Sequence, residues 1–112
     1  MKKPTISFID FEKLDIRIGK VLNAFRIENS KKLIEMHVDF GTDYKTVTII
    51  AGIGDWYKPE SLIGNNYLFL ANLEPKKIMG RLSNGMLLCV NAPQKTIPVK
   101  ILKSISTGSI IR

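Results

Sequence analysis

The stretch YKPESLIG, residues 57–64, determines the fold that we predict for this chain. Pro59 stands where the first turn of a helix tolerates a proline, Glu60 adds an acid to that turn, and Gly64 provides a stop signal. These positions predict one short helix over residues 59–63. Because the segments on both sides read as strands, the helix is expected to connect two strands of a sheet.

Alternation of apolar and polar residues predicts these strands. It is clearest over Leu33–Phe40, where every second residue is apolar, as in a strand with one buried and one solvated face. We therefore expect the lone His37 and its flanking acids, Glu35 and Asp39, to lie on the solvated face. Gly19 falls inside another run, where a strand often bulges or bends. The remaining predicted strands are Asp15–Phe25, Tyr44–Ala51, Asn66–Leu73 and Met86–Val90.

Five short strands with a small helix between the third and the fourth form a partly open Greek-key barrel, the OB-fold. We therefore predict an all-β, five-stranded OB-fold barrel in a single domain, residues 1–112, with its core at 8–92. A further helical turn is predicted within the segment Phe8–Leu14. Residues 93–112 form a C-terminal extension that pairs either with the barrel or with a second subunit. This extension carries alternating or terminal apolar residues at Ile97, Val99, Ile101, Ile110 and Ile111.

The charge of the chain is unevenly distributed. Residues 1–75 contain ten basic residues and all ten acids, whereas residues 76–112 contain seven basic residues and no acid. The whole net charge of +7 therefore lies in the last third of the chain. Such a one-signed field is typical of proteins that bind nucleic acid or another anionic surface. A basic surface that only keeps the protein soluble is an equally good interpretation of charge alone.

The chain lacks the residues that several classes of function require. With one histidine and one cysteine, Cys89, the chain offers no metal site, no internal disulfide and no nucleophile with a matching base. No phosphate-binding glycine motif is complete, and no apolar run is long enough to span a membrane. We therefore predict no enzyme, no cofactor and no membrane partner. Acids interrupt the apolar stretch that a signal peptide needs, which predicts a cytoplasmic protein.

The segment NLEPKKIMGRLSNGM, residues 72–86, is the candidate site. It connects the fourth and fifth predicted strands, and this connection lines the ligand face in OB-folds. Its three cations are suited to phosphates, its glycines allow close approach of the backbone, and its polar and sulfur-containing side chains can contact a nucleotide. These residues are Lys76, Lys77, Arg81, Gly80, Gly85, Ser83, Asn84 and Met86. A solvated loop with turn glycines is the alternative interpretation.

Seven motifs, in order and at these spacings, resemble a known family: FEKLDIRIGKV, NSKKL, VDFG, IIAGI, WYKPESLIG, ANLEPKKIMG and SNGM. The family is the tRNA-binding OB domain that is found in methionyl- and phenylalanyl-tRNA synthetases. It also occurs in the endothelial-monocyte-activating polypeptide type of synthetase cofactor and as free-standing tRNA-binding proteins. A related branch is the CsaA-type export chaperone. The resemblance covers residues 8–92, and the run Asn72–Met86 is its most specific part.

The resemblance implies roles for individual residues. Lys76, Lys77 and Arg81 would meet the tRNA backbone, and Ser83, Asn84 and Met86 would engage a nucleotide. Asn72 and Gly85 also fall on matching positions of this segment, and Lys32 matches a cation of an earlier loop. Two residues of the family that could face RNA, an arginine and a serine, are replaced here by Val47 and Ala51.

Two functions follow from the resemblance. The first is a non-catalytic tRNA-binding protein that holds tRNA by charge and shape and assists an aminoacyl-tRNA synthetase or acts as an RNA chaperone. The second is a CsaA-like chaperone that binds unfolded preproteins. The sequence SNGM favours RNA, because the chaperone branch departs from the family's pattern Ser-x-Gly-Met. A third, weaker interpretation is a homodimerisation module. Free-standing members are commonly dimers, so we also expect a homodimer.

Overall fold

The computed structural model describes residues 1–112, and most of its regular structure is β. The one α-helix is α1 (Phe8–Glu12), a 3₁₀ turn spans Pro59–Ser61, and no helix is long and apolar enough to cross a membrane. The strands are β1 (Ile16–Arg26), β2 (Ile34–Asp39), β3 (Thr46–Ala51), β4 (Asn66–Leu70), β5 (Lys76–Ile78), β6 (Arg81–Ser83), β7 (Met86–Leu87), β8 (Cys89–Asn91), β9 (Thr96–Pro98), β10 (Lys100–Ile101) and β11 (Ile110–Ile111).

The long strand β1 joins the two halves of the barrel. Its first half, Ile16–Lys20, pairs with β4, and its second half, Lys20–Arg26, pairs with β2. The main sheet follows the order β10-β4-β1-β2-β3, with β11 added to β1 and β7 added to β4. The result is a nearly closed, OB-like barrel, as the sequence predicts.

Gly19 lies where β1 passes over the core. A Cβ atom at this position would lie 2.5 Å from Val38 Cγ1 and 2.8 Å from Phe40 Cε1. Phe40 in turn packs edge-on against Phe69, with 5.3 Å between the ring centroids. Only glycine lets β1 pass this closely over the aromatic core. The bulge that the sequence suggested at Gly19 lies instead between Val21 and Asn23, where the register of β1 and β2 shifts. The largest fully buried side chains are Phe40, Phe69, Ile34, Met36, Ile49, Leu62, Val21 and Val38.

Several predicted elements differ in detail from the observed ones. The strand predicted over Asn66–Leu73 ends at Leu70, and the strand predicted over Tyr44–Ala51 begins at Thr46. The helix predicted over 59–63 is a single 3₁₀ turn over Pro59–Ser61, capped by a hydrogen bond from Leu62 N–H to Pro59 O at 3.0 Å. The predicted strand Met86–Val90 is divided at Leu88, whose N–H donates to Leu68 O at 2.9 Å and whose carbonyl accepts from Val99 N–H at 3.1 Å. From there, β8 leaves β4 and pairs with β9 instead.

The C-terminal extension pairs with its own barrel. β9 pairs with β8, β10 pairs with β4, and β11 pairs with β1. The sequence left open whether this extension pairs with the barrel or with a second subunit. The structure shows that it pairs with the barrel. Gly108, with φ of +84°, turns the chain into β11, and its N–H donates to Ile18 O at 2.7 Å.

Candidate nucleic-acid interface

Residues 72–86, predicted to be a loop, contain a hairpin of β5 and β6. Lys76 lies opposite Ser83, and Ile78 lies opposite Arg81. The turn consists of Met79 and Gly80, both with positive φ (+48° and +79°), as in the two-residue turns that match the twist of a hairpin. The turn thus gives the basic segment a defined geometry that composition did not predict.

Asn72 anchors the start of this segment to the N-terminal part of the barrel. Its side-chain oxygen accepts from Asp15 N–H at 2.8 Å, and its Nδ2 donates to Lys13 O at 2.7 Å. Both ends of the amide are therefore engaged by the backbone that leads into β1. The structure gives Asn72 a positioning role in the candidate site.

Ser83 and Gly85 anchor the end of the segment. Ser83 is buried, and its Oγ accepts a hydrogen bond from Ile50 N–H of β3 at 2.9 Å. Asn84 N–H donates to Thr48 O of the same strand at 2.8 Å. Gly85 has φ of +132°, and a Cβ there would lie 2.8 Å from Leu70 O. The Ser-Asn-Gly sequence thus closes the barrel against β3, and the Ser83 hydroxyl is buried and engaged within the protein.

Arg81 is held by an ion pair with Glu35 of β2. Its Nε and Nη2 donate to the two carboxylate oxygens, the latter at 3.0 Å, and its guanidinium lies 5.7 Å from the ring centre of Phe25. His37 Nε2 lies 2.9 Å from Glu35 Oε2. These partners leave the Glu35 side chain only 3% exposed. The expectation that Glu35 lies on a solvated face is wrong, because the hairpin folds over that face.

This ion pair also changes the electrostatics of the site. The hydrogen bonds from Arg81 lower the pKa of the Glu35 carboxyl below its usual value, against the opposing effect of burial, with a further contribution from His37. Much of the Arg81 charge is consequently compensated within the protein. Arg81 differs in this respect from Lys76 and Lys77, which are exposed and form no ion pair.

An apolar groove of about 390 Å³ lies beside the hairpin, between the end of β3 and β7–β8. Met86, 45% exposed, is on its wall, as is Gly52. The Lys32 side chain covers Gly52, with Cε 3.2 Å from the place of a Cβ atom. Lys32 therefore lies over Gly52, a residue that lines the same groove as Met86 although the two are distant in the sequence. Ala51, one of the two replaced family positions, also lines the groove. The sequence did not indicate the other lining residues: Ile50, Ile53, Leu87, Leu88, Cys89 and Thr96.

The two replaced family positions lie on β3. Val47 and Ala51 are half-buried and pack against the core, so their apolar side chains fit these places. Cys89 is half-buried against the core, and this burial raises the pKa of its thiol. No three His, Cys, Asp or Glu side chains come together as a metal site would require.

Comparison with known proteins places this geometry in context. The profile of the family described as "Putative tRNA binding domain" matches residues 16–109. Methionine–tRNA ligase of Clostridium acetobutylicum is 44% identical over 112 residues, which are 98% of this chain and 17% of that protein. The enzyme of Methanothrix thermoacetophila is 43% identical over 99% of this chain and 16% of its own length. The chain thus spans less than a fifth of these curated relatives.

Two solved structures match over nearly their whole length. The MetRS-related protein from Pyrococcus horikoshii has a TM-score of 0.91 and 32% identity, over 98% of this chain and 100% of that one. The chaperone CsaA from Bacillus anthracis has a TM-score of 0.85 and 28% identity, over 97% of this chain and 100% of that one. Both share the OB-like barrel described above.

Proposed function

Because this chain belongs to the family of putative tRNA-binding domains, we propose that it binds tRNA and catalyses no reaction itself. The observation that carries the proposal is the hairpin, which presents the exposed, unpaired cations Lys76 and Lys77 beside the groove lined by Met86. Charge and an apolar contact surface therefore occur together at one place on the barrel.

The two parts of this site act on different parts of a nucleic acid. The lysines neutralise backbone phosphates and release counterions, which gives affinity that weakens steeply with salt. Met86, with its polarizable sulfur, and the half-buried Asn84 contact an unstacked base, and Lys32, whose side chain covers Gly52 of the groove, adds a cation. Arg81 contributes less charge than either lysine, because Glu35 compensates it.

The relatives support a proposal about the role of this domain in the cell. The matching segment is a small part of methionine–tRNA ligases, and it is nearly the whole of the MetRS-related protein. We propose that this domain increases the affinity of an aminoacyl-tRNA synthetase for its tRNA in the cytoplasm, either as a part of that enzyme or as its partner.

The proposal is tested by measuring the binding of bulk tRNA and of a duplex DNA of similar charge across a salt series. We expect micromolar or tighter binding of tRNA, a preference over DNA and a steep salt slope. Lys76→Ala combined with Lys77→Ala should weaken tRNA binding and lower the slope by roughly 0.7 for each lost contact to single-stranded RNA.

The matched control is Lys2→Ala combined with Lys3→Ala, which removes two adjacent exposed lysines from the extended N-terminus. This control should bind tRNA nearly as the parent does. If the two double variants weaken binding equally, the hairpin lysines act only through net charge and the assignment of the site fails. If the parent shows no preference for tRNA over DNA, the proposed function itself fails.

A second candidate function rests on the groove and on the likeness to the chaperone CsaA. An apolar groove of this size can also accept a side chain of an unfolded polypeptide. Suppression of the aggregation of an unfolded client at high salt, where the RNA contacts of the lysines are weakened, would support this alternative. No suppression at a tenfold molar excess of the domain would exclude it.

We further propose that the protein forms a homodimer through α1 and β11. α1 buries none of its residues within the chain, and Phe8, Ile9 and Ile110 are 70%, 68% and 50% exposed. A pocket of about 450 Å³, lined by Phe8, Phe11, Ile110 and Ile111 among others, continues this apolar surface. A second copy placed against it would bury these side chains, and it would cover the outer edge of β11.

A further inference from the structure

A second, polar pocket of about 290 Å³ lies on the other half of the barrel from the hairpin. It is located between β1, β4 and the segment 102–107, whereas the hairpin contacts β2 and β3. Its lining contains two lysines, three hydroxyl side chains and no acid. These residues are Lys20, Lys103, Ser104, Ser106 and Thr107.

The barrel holds this pocket in shape. Asn66, only 2% exposed, donates from its Nδ2 to Leu102 O at 3.3 Å and to Ile105 O at 3.1 Å, which fixes the segment 102–107 over β4. Gly108 anchors the end of the segment, since its N–H donates to Ile18 O at 2.7 Å. The pocket is therefore formed before any ligand arrives.

Several backbone donors of the segment 102–107 have no partner within the protein. The backbone N–H groups of Lys103, Ser104, Ser106 and Thr107 donate to no acceptor in the protein. Lys20 and Lys103 also form no ion pair.

Asp39 lies opposite Lys20 on β2 but forms no ion pair with it. The Asp39 carboxylate instead accepts from Gly41 N–H at 2.8 Å. A concave site with two unpaired cations, hydroxyl groups and unused backbone donors is complementary to an oxyanion with several acceptor oxygens.

We propose that this pocket binds a phosphate group. The same chemistry is offered by a phosphodiester of an RNA backbone and by free phosphate. The two lysines supply charge, and the hydroxyl and backbone donors of segment 102–107 bind the oxygens. The pocket is separate from the hairpin, because none of the residues 72–86 lines it.

The first experiment titrates the full chain with inorganic phosphate, at constant ionic strength kept with chloride, and follows the backbone amides by NMR. We expect saturable shifts of the amides of residues 103–107. Lys20→Met combined with Lys103→Met should weaken this binding by about tenfold or more, through the loss of two charge-assisted contacts. Lys2→Met combined with Lys3→Met, which removes equal charge elsewhere, should leave it unchanged.

Two outcomes would overturn the proposal. One is the absence of saturable shifts at residues 103–107 in the parent protein, and the other is equal phosphate binding by both double variants. A melting temperature equal to that of the parent shows that Lys20→Met with Lys103→Met still folds, so that a loss of binding reports on the pocket.

The second experiment identifies the source of the phosphate by repeating the tRNA salt series with the same two variants. If an RNA phosphate binds here, the pocket variant lowers the salt slope by about 0.7 to 0.9 more than the control does. If only free phosphate binds, the two slopes are equal while the NMR result stands. A parent protein that fails to bind tRNA would refute the proposed function and leave the phosphate titration as an independent test.

Discussion

At the scale of single residues, the segment 72–86 contains two groups with different roles. Asn72, Ser83 and Gly85 hold the hairpin in place through buried or backbone contacts. Lys76 and Lys77 are exposed and unpaired. Substitutions in the first group are therefore expected to change the stability of the protein, and substitutions in the second group to change binding alone.

Ser83→Ala tests this division. The variant leaves the N–H of Ile50 without its side-chain acceptor, so the free energy of unfolding should fall by about 1–3 kcal/mol. Urea denaturation followed by circular dichroism measures it. Ser104→Ala, at an exposed hydroxyl without a hydrogen bond in the protein, is the matched control and should unfold as the parent does. A parent-like stability of Ser83→Ala would show that the hydroxyl does not close the barrel.

Glu35 predicts a dependence of stability on pH. Its pKa is lowered in the folded protein by the hydrogen bonds from Arg81. Its contribution is therefore fully present above the unfolded value of about 4.3 and is lost as the pH falls through the lower folded value. Glu35→Gln removes this titration, so its free energy of unfolding should decrease less than that of the parent between about pH 5 and pH 2.

Denaturation at a series of pH values measures both slopes. Part of the slope should remain in the Glu35→Gln variant, because Arg17 lowers the pKa of Asp15 in the same direction. Identical slopes in the two proteins would mean that the Arg81–Glu35 ion pair does not persist in solution.

At the scale of elements, the hairpin turn contains local strain. Met79 adopts φ of +48°, a left-handed conformation that costs a residue with a side chain about 1–2 kcal/mol. Asparagine tolerates this conformation better and forms the favoured Asn-Gly turn with Gly80. Met79→Asn should therefore raise the free energy of unfolding by about 0.5–1 kcal/mol, measured by urea denaturation. A decrease would indicate that the exposed Met79 side chain packs on the hairpin in solution.

The docking of β11 depends on Gly108. A pair of glycine variants separates the cost of the backbone conformation from the cost of the close contact. Gly108 and Gly80 have similar φ angles, +84° and +79°. A Cβ at Gly108 would lie 2.2 Å from Phe40 O, whereas a Cβ at Gly80 would meet nothing within 4 Å. Gly80→Ala should cost about 1–2 kcal/mol for its backbone conformation alone, and Gly108→Ala should cost clearly more. Equal losses in thermal denaturation would mean that the tail moves away from β1 without a penalty.

At the scale of the whole molecule, the apolar surface of α1 and β11 predicts self-association. The parent should elute as a dimer at micromolar concentration in size-exclusion chromatography with light scattering. Phe8→Ser combined with Ile110→Ser should shift it to a monomer. Leu102→Ser, at a residue that is 72% exposed outside this surface, should remain a dimer. A parent that is a monomer at these concentrations would remove the proposal of a homodimer.

The individual strands were predictable from the sequence, because burial of one face imposes a period of two on the residues of each strand. The alternation in Leu33–Phe40 predicted β2, and Pro59 predicted the start of the short helical turn. The family and its basic segment were likewise predictable, because Asn72–Met86 carries its motif without interruption. Each of these features depends on residues that are close together in the chain.

Contacts between distant segments were decided only by the tertiary structure. The alternation that predicts β2 cannot show that the hairpin folds back over it, so Glu35 was expected in solvent but is buried beneath Arg81. The sequence patterns also do not show which strands the C-terminal extension pairs with, or that Lys20 and Lys103 border one pocket. Sequence patterns record which face of an element avoids water, whereas the element that covers this face depends on how the barrel closes.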